Sequence, residues 1–248
     1  MRFPFFIFVI AILIAGSCDQ AASHQEKEPT SSLDFQEARR MLAEGKKLVL
    51  ASDSLHQGGE EVLAEQKAAE AVAKLQDLIS KAPDYRNAAV ALLGQAAFIN
   101  RDYQNAKMWL EEAVGMDGRD VKSLMWLGLS HLATSQPDTA QGYFARSINF
   151  YDEVSHRERM VREIYKVGIT AFEYGVSHEQ DGYPQKGFDY KVYGTYVVSM
   201  AWELDKNDSM PELKGQILTY AKALLPQAKE RNDTARIQFF ENIITQLQ

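Results

Sequence analysis

Apolar and small residues recur along residues 86–152 with helical spacing, and their pattern repeats after 34 residues. The first copy comprises Val90, Leu93, Gly94, Ala97, Ala106, Leu110 and Ala113. The second comprises Leu124, Leu127, Gly128, His131, Ala140, Phe144 and Ser147. Each copy predicts two antiparallel helices, with turns at 100–102 and 134–138. We expect the small residues Gly94 and Ala97 to meet Ala106 and Ala113 where the helices cross, with large residues, Leu93 and Leu110, filling the space around them.

This spacing resembles the tetratricopeptide repeat (TPR) and is clearest over residues 87–152. The resemblance implies an all-α fold, a right-handed superhelix of antiparallel helix pairs, known as an α-solenoid. The chain departs from the family pattern where His131 replaces a smaller residue and where Gly118 and Asp152 replace proline. An ordinary amphipathic helical bundle with chance placement of Gly and Ala is the alternative.

In the remaining chain, apolar residues at helical spacing predict further helices at 33–52, 60–81, 157–176, 188–204, 211–231 and 233–247. Residues 33–83 would be an irregular first repeat with a long connection. The Gly- and Pro-containing segment 178–187 is expected to be a loop, and Pro226 a kink or break. Residues 33–156 are therefore assigned to TPR-like repeats, and 157–248 to a degenerate helical region with a carboxy-terminal cap.

The amino terminus has the pattern of a secretory signal peptide. A basic Arg2 precedes an apolar run from Phe3 to Ile14, which is too short for a permanent membrane span. Ala15-Gly16-Ser17-Cys18 resembles a bacterial lipobox, and Cys18 is the single cysteine. Residues 1–17 would be cleaved before Cys18, and the polar residues 18–32 would form a lipidated flexible tether. An ordinary secreted protein with an incidental cysteine is the alternative.

A lipid on Cys18 predicts a bacterial cell-envelope protein anchored to a membrane, because two or three acyl chains hold firmly where one does not. Asp19 resembles the signal that retains lipoproteins in the inner membrane of enterobacteria-like cells, facing the periplasm. The outer membrane remains open as an alternative.

Charge and motif content argue against several function classes. The net charge is −7, and loss of Arg2 makes it more negative, so nucleic acid is a disfavoured partner. The histidines are scattered, and Cys18 is used for the lipid. Met210 stands where a calcium loop beginning at Asp205 needs glycine. We expect a non-catalytic protein without metal, and without a cofactor other than the covalent lipid.

The TPR resemblance implies a concave groove lined by the first helix of each pair. Its lining residues would bind a protein partner, and they are Gln95, Phe98, Ile99, Lys122, Met125, Leu129, Leu132, Tyr165 and Phe172. The groove is mostly apolar, which suits a helix or an extended segment of a partner. The alternative is that another part of this chain, such as the helix at 34–50, fills it.

A second candidate surface is aromatic and contains Tyr183, Tyr190, Tyr193, Tyr196 and Trp202. Tyr and Trp are enriched at interfaces, although they also serve as ordinary packing. These patterns predict a membrane-anchored TPR scaffold or adaptor that binds protein partners of the envelope. One alternative is a carrier of a small ligand or glycan in an aromatic pocket near 183–202. The other is an enzyme with a site across the inserted loops.

Overall fold

The computed structural model describes residues 33–248, and within them all regular structure is helical, with no strand. The all-α prediction is confirmed. The ten α-helices are α1 (Phe35–Gln57), α2 (Glu61–Lys81), α3 (Arg86–Ile99), α4 (Tyr103–Met116), α5 (Val121–Ala133), α6 (Pro137–Phe150), α7 (Val154–Gln180), α8 (Pro184–Leu204), α9 (Glu212–Glu230) and α10 (Thr234–Leu247). A short 3₁₀ helix, Pro83–Tyr85, precedes α3. The cleavage site, Cys18 and the tether lie outside the described residues.

The helices pack as five sequential pairs, α1–α2 through α9–α10. Successive odd-numbered helices α1, α3, α5 and α7 also contact one another, so the first four pairs are stacked in chain order. One hydrophobic core runs through most of the stack, and a second cluster occupies the first two pairs.

All five turns within these pairs share one backbone conformation. Each contains one residue with positive φ, between 53° and 84°, and these are Gly59, Arg101, Ser135, Gly182 and Asn232. The amide of that residue donates to the carbonyl three residues earlier, and the next amide donates to the carbonyl five residues before it. This is the Schellman arrangement, which satisfies the last carbonyls of the first helix of each pair.

The repeated positions of α3–α6 are buried as the spacing predicts, and the two glycines among them face large side chains. A Cβ on Gly94 would overlap the Leu110 side chain, and a Cβ on Gly128 would overlap the Phe144 ring. Each glycine therefore accommodates a large side chain from the second helix of its pair. His131 fits because its ring stacks on Tyr143 at 5.3 Å.

In the α7–α8 pair, glycines on each helix lie against the backbone of the other. Gly168 faces Gly194 and Gly175 faces Gly187, so four glycines form two antiparallel rungs. A Cβ on Gly175 would lie 2.5 Å from the Gly187 carbonyl oxygen and 2.8 Å from the Lys191 amide nitrogen. Only hydrogen on these α-carbons lets the two backbones come this near.

Three expected boundaries were wrong. The loop predicted at 178–187 is only the turn 181–183, because Gly187 serves helix packing inside α8. The first helix continues to Gln57, so no long connection precedes α2. Pro226 lies inside a continuous α9, so the chain has a helical proline there and no break.

Candidate functional site

A cavity of about 770 Å³ lies at the turn end of the first three helix pairs. The turns after α1, α3 and α5 bring His56, Arg101 and Ser135 to one side of it. The opposite side consists of α7 from Glu163 to Tyr174, together with two residues of α8. Residues far apart in sequence thus meet here because the stacked pairs place their turns at the same end.

Six of the lining residues have aromatic side chains, and they are Phe98, Tyr103, Tyr165, Tyr174, Tyr190 and Tyr193. Tyr193 is fixed in place because its hydroxyl donates to the Leu132 carbonyl at 2.5 Å. Burial raises the pKa of Tyr193, so its hydroxyl keeps this proton at neutral pH. The Tyr174 side chain is 59% exposed and marks the open edge of the cavity.

Three ion pairs join α7 to residues 53–61 around the turn between α1 and α2, which we call the first turn. We call these pairs the ion-pair cluster: Asp53–Arg159, His56–Glu163 and Glu61–Lys166. The charges alternate in sign along the first turn, and they alternate in the opposite sense along α7. Glu163 is 3% exposed and His56 is 8% exposed. Lys166 additionally donates to the His56 carbonyl at 2.6 Å. The cluster connects residues more than a hundred positions apart, and four of its members line the cavity.

The His56 ring is held between two carboxylates. Nδ1 lies 2.9 Å from Glu61 Oε2, and Nε2 lies 2.7 Å from Glu163 Oε2. Burial alone would lower the pKa of His56, but the hydrogen bond and charge of Glu163, with a further hydrogen bond from Glu61, raise it above its ordinary value. Burial would raise the pKa of Glu163, but His56, Lys166 and Arg159 lower it. Both shifts favour the charged pair.

Most charged groups of the lining are therefore neutralised within the protein. Arg101 pairs with Glu65 at 2.5 Å, in addition to the pairs of the cluster. Glu173 is exposed at the rim and lies outside these pairs. A ligand in this cavity would thus meet aromatic faces, aliphatic side chains and hydroxyl groups more than free charge.

The predicted groove residues occupy different environments. Phe98, Ile99, Leu132 and Tyr165 line the cavity. Met125 and Leu129 lie in the core at 1% and 0% exposure, where no partner can reach them. The structure therefore has no open groove over these two residues, because α5 packs between α3 and α7.

The other predicted groove residues lie outside the cavity lining. Gln95 is half-buried and Lys122 is exposed. The Phe172 ring stacks on Tyr220 of α9 at 3.6 Å, so it packs within the protein.

The predicted aromatic surface is divided between separate places. Tyr190 and Tyr193 line the main cavity. Tyr196 packs near Phe239, and Trp202 borders a small cavity of about 150 Å³. Tyr183 is exposed in the α7–α8 turn. These five residues therefore do not form one continuous surface.

The sequence reasoning missed the ion-pair cluster and the cavity residue Tyr103. A signal was present in α7, where Arg159, Glu163 and Lys166 follow helical spacing and lie on one face. Asp53 and His56 show the same feature in α1, at a spacing of three. Charged residues that share a face with buried apolar neighbours indicate a paired interior contact.

In the described part of the chain, no helix has the length and apolarity needed to cross a bilayer. The same residues contain no group of three His, Cys, Asp or Glu side chains placed to hold a metal ion. A scan against protein-family models and a search of curated proteins each found no match to this chain.

Proposed function

We propose that this protein is a non-catalytic adaptor of a bacterial cell envelope, anchored through lipid on Cys18, that binds a segment of a protein partner in the cavity. The observation that carries the proposal is the cavity itself, which combines six aromatic side chains with charges already paired inside the protein. Aromatic residues supply large contact area with little loss of conformational entropy on binding.

We further infer that the helices form a TPR-like right-handed superhelix. The recurrence of small residues after 34 positions supports this, as do the five helix pairs and the contacts between successive odd-numbered helices. In such a stack the partner would bind where the turn ends of several pairs converge. The cavity occupies this place, whereas the middle of the predicted groove is core.

A second candidate ligand is a glycan or another small neutral molecule. The specific observation in its favour is the tyrosine-rich lining, which presents rings and hydroxyl groups together. Tyr190 and Tyr193, which were expected to border such a pocket, do line this cavity.

Site-specific photocrosslinking tests both candidates. A photoreactive phenylalanine analogue replaces Tyr174, at the cavity edge, in the full-length lipoprotein expressed in its native cell. The matched control carries the same analogue at Tyr151, which is 43% exposed and lies outside the lining. We expect a discrete crosslinked product at 174 that is absent at 151.

The chemistry of the product identifies the ligand class. A product that a protease degrades to a tagged peptide supports the adaptor. A protease-resistant product that periodate destroys supports the glycan instead. Equal crosslinking at the two positions would overturn the assignment of the cavity as a binding site. Separately, loss of lipid labelling in Cys18→Ser, with the wild type labelled, is the result expected of the anchor.

A further inference from the structure

The ion-pair cluster closes one side of the cavity, and its central contact requires a particular protonation state. Carboxylates accept hydrogen bonds and do not donate them when ionised, whereas a neutral imidazole carries only one N–H. Both ring nitrogens of His56 face carboxylate oxygens, at 2.9 Å and 2.7 Å. Only the imidazolium form can therefore donate to Glu61 and Glu163 at once.

The balance of charge within the cluster depends on this proton. With His56 protonated, three positive groups face three negative groups across the contact between the first turn and α7. The charged groups that face the ring are Glu61 from α2 and Glu163 and Lys166 from α7. When His56 is neutral, its single N–H can serve only one of the two carboxylates, and Glu163, almost fully buried, loses the positive charge of its partner while Lys166 and Arg159 remain as the cations that act on it. An ionised carboxylate that loses its partner in the interior is strongly unfavourable.

We propose that His56 is the switch of a pH-dependent contact between the first turn and α7, and that its deprotonation frees the turn and widens the cavity. Because His56, Glu61, Glu163 and Lys166 all line the cavity, separation of the first turn from α7 widens the cavity on the side that the ion-pair cluster closes. The inference concerns regulation of the binding site and, in that respect, rests on the proposed function. The contact itself can be tested without any ligand.

The direction of the pH effect follows from the raised pKa of His56. The contact is complete below about pH 6.5, the ordinary value for histidine, and is lost as pH rises through the higher value of the folded protein. The lowered pKa of Glu163 keeps that carboxylate ionised over the whole interval. A rise in pH through the folded pKa of His56 therefore opens the cavity, and a pH below the ordinary histidine pKa keeps it closed.

Hydrogen exchange measured by mass spectrometry on the full-length lipoprotein in detergent tests the contact. Exchange is followed from about pH 6 to about pH 9 and corrected for the intrinsic pH dependence of amide exchange. Peptides covering 52–63 and 157–168 report on the contact, and a peptide covering 228–236 in the last turn is the internal reference. We expect protection at 52–63 to fall, relative to the reference, about tenfold for each pH unit by which the folded pKa of His56 exceeds its ordinary value.

Three variants make the result specific. His56→Gln is expected to show low protection of 52–63 at every pH, and His56→Lys high protection at every pH, because its charge is fixed. His178→Gln is the matched control, since His178 stacks on Tyr190 near the cavity, and its buried Nε2 has no hydrogen-bond partner among the described residues. It should keep the wild-type pH step. If His56→Lys lacks the far-UV circular dichroism of the wild type, Glu163→Gln replaces it, and its pH step should be reduced.

Two outcomes overturn the inference: no pH-dependent change at 52–63 in the wild type, or the same change in His56→Gln. Crosslinking from position 174 at about pH 6.5 and about pH 8.5 then separates this inference from the proposed function. A pH step in exchange without crosslinking at either pH retains the switch and rejects the binding role. Equal crosslinking at both pH values, without an exchange step, rejects the switch and retains the binding role.

Discussion

The helix pairs α3–α4 and α5–α6 differ from the pair α7–α8 in how glycine is used. In α3–α4 the large side chain of Leu110 lies against Gly94, and in α5–α6 that of Phe144 lies against Gly128. In α7–α8, Gly168, Gly175, Gly187 and Gly194 face backbone of the partner helix. A side chain can change rotamer when a methyl group is added opposite it, but a backbone carbonyl cannot. The repeats should therefore tolerate substitution at their crossing points better than α7–α8.

The largest effect expected within the repeats comes from removing the side chain that fills the space beside Gly128. Phe144 is 1% exposed, and Phe144→Ala should reduce the free energy of unfolding by about 4 kcal/mol, because a cavity remains beside a residue without a side chain. Urea unfolding followed by circular dichroism measures this. Phe150→Ala, at an exposed position at the end of α6, is the control and should cost far less.

The next effect tests the difference between the two regions directly. Gly175→Ala should destabilise by about 3 kcal/mol, since its Cβ meets backbone, and Gly94→Ala by about 1 kcal/mol, since Leu110 can move. A Cβ added at Gly115 of α4 would meet no neighbouring atom, so Gly115→Ala should stabilise the protein slightly through its higher helix propensity. Equal losses for Gly175→Ala and Gly94→Ala in urea unfolding would contradict the distinction.

A smaller, pH-dependent effect concerns the ion-pair cluster, which attaches α7 to the first turn. The raised pKa of His56 contributes stability that is complete below about pH 6.5 and is lost as pH rises through the folded value. Each pH unit between the ordinary and the folded pKa corresponds to about 1.4 kcal/mol. The difference in unfolding free energy between wild type and His56→Gln should therefore shrink with rising pH. A difference that stays constant or grows would show that His56 is not charged in the folded protein.

The smallest effects are expected in the turns. Ser135 in α5–α6 has positive φ, and Gly182 has the same conformation in α7–α8. Ser135→Gly should stabilise by about 0.5 kcal/mol, and Gly182→Ala should destabilise by about 1 kcal/mol. Thermal unfolding of the two variants measures both. Opposite signs are the expected outcome, and the same sign in both would indicate that the two turns are not equivalent.

The contrast between these regions also explains what could be predicted from sequence. Gly94 with Leu110 and Gly128 with Phe144 recur at a fixed interval along the chain, so the periodicity reveals them. The pairing of Gly175 with Gly187 occurs once and has no second copy to compare. For that reason the sequence pattern places Gly187 in a loop and underestimates the length of α7.

The candidate site could be predicted only in part, for a related reason. The repeat register predicted that Phe98, Ile99 and Leu132 line a binding groove, and these three residues line the cavity. The register could not distinguish them from Met125 and Leu129, because apolar side chains in a groove and in a core look alike in sequence. His56 and Glu163 are separated by 107 positions, a distance over which helical periodicity carries no information.

Those long-range ion pairs also bear on cooperativity. Stacked helix pairs interact mainly with their neighbours, so such arrays can lose structure progressively from either end. Here the first turn is also attached to α7, which joins α1 to the fourth pair as well as to its neighbours. Fraying of the first pair must therefore break contacts in the middle of the array. The four pairs from α1 to α8 should thus unfold as a single unit, with the slower folding that accompanies contacts distant in sequence.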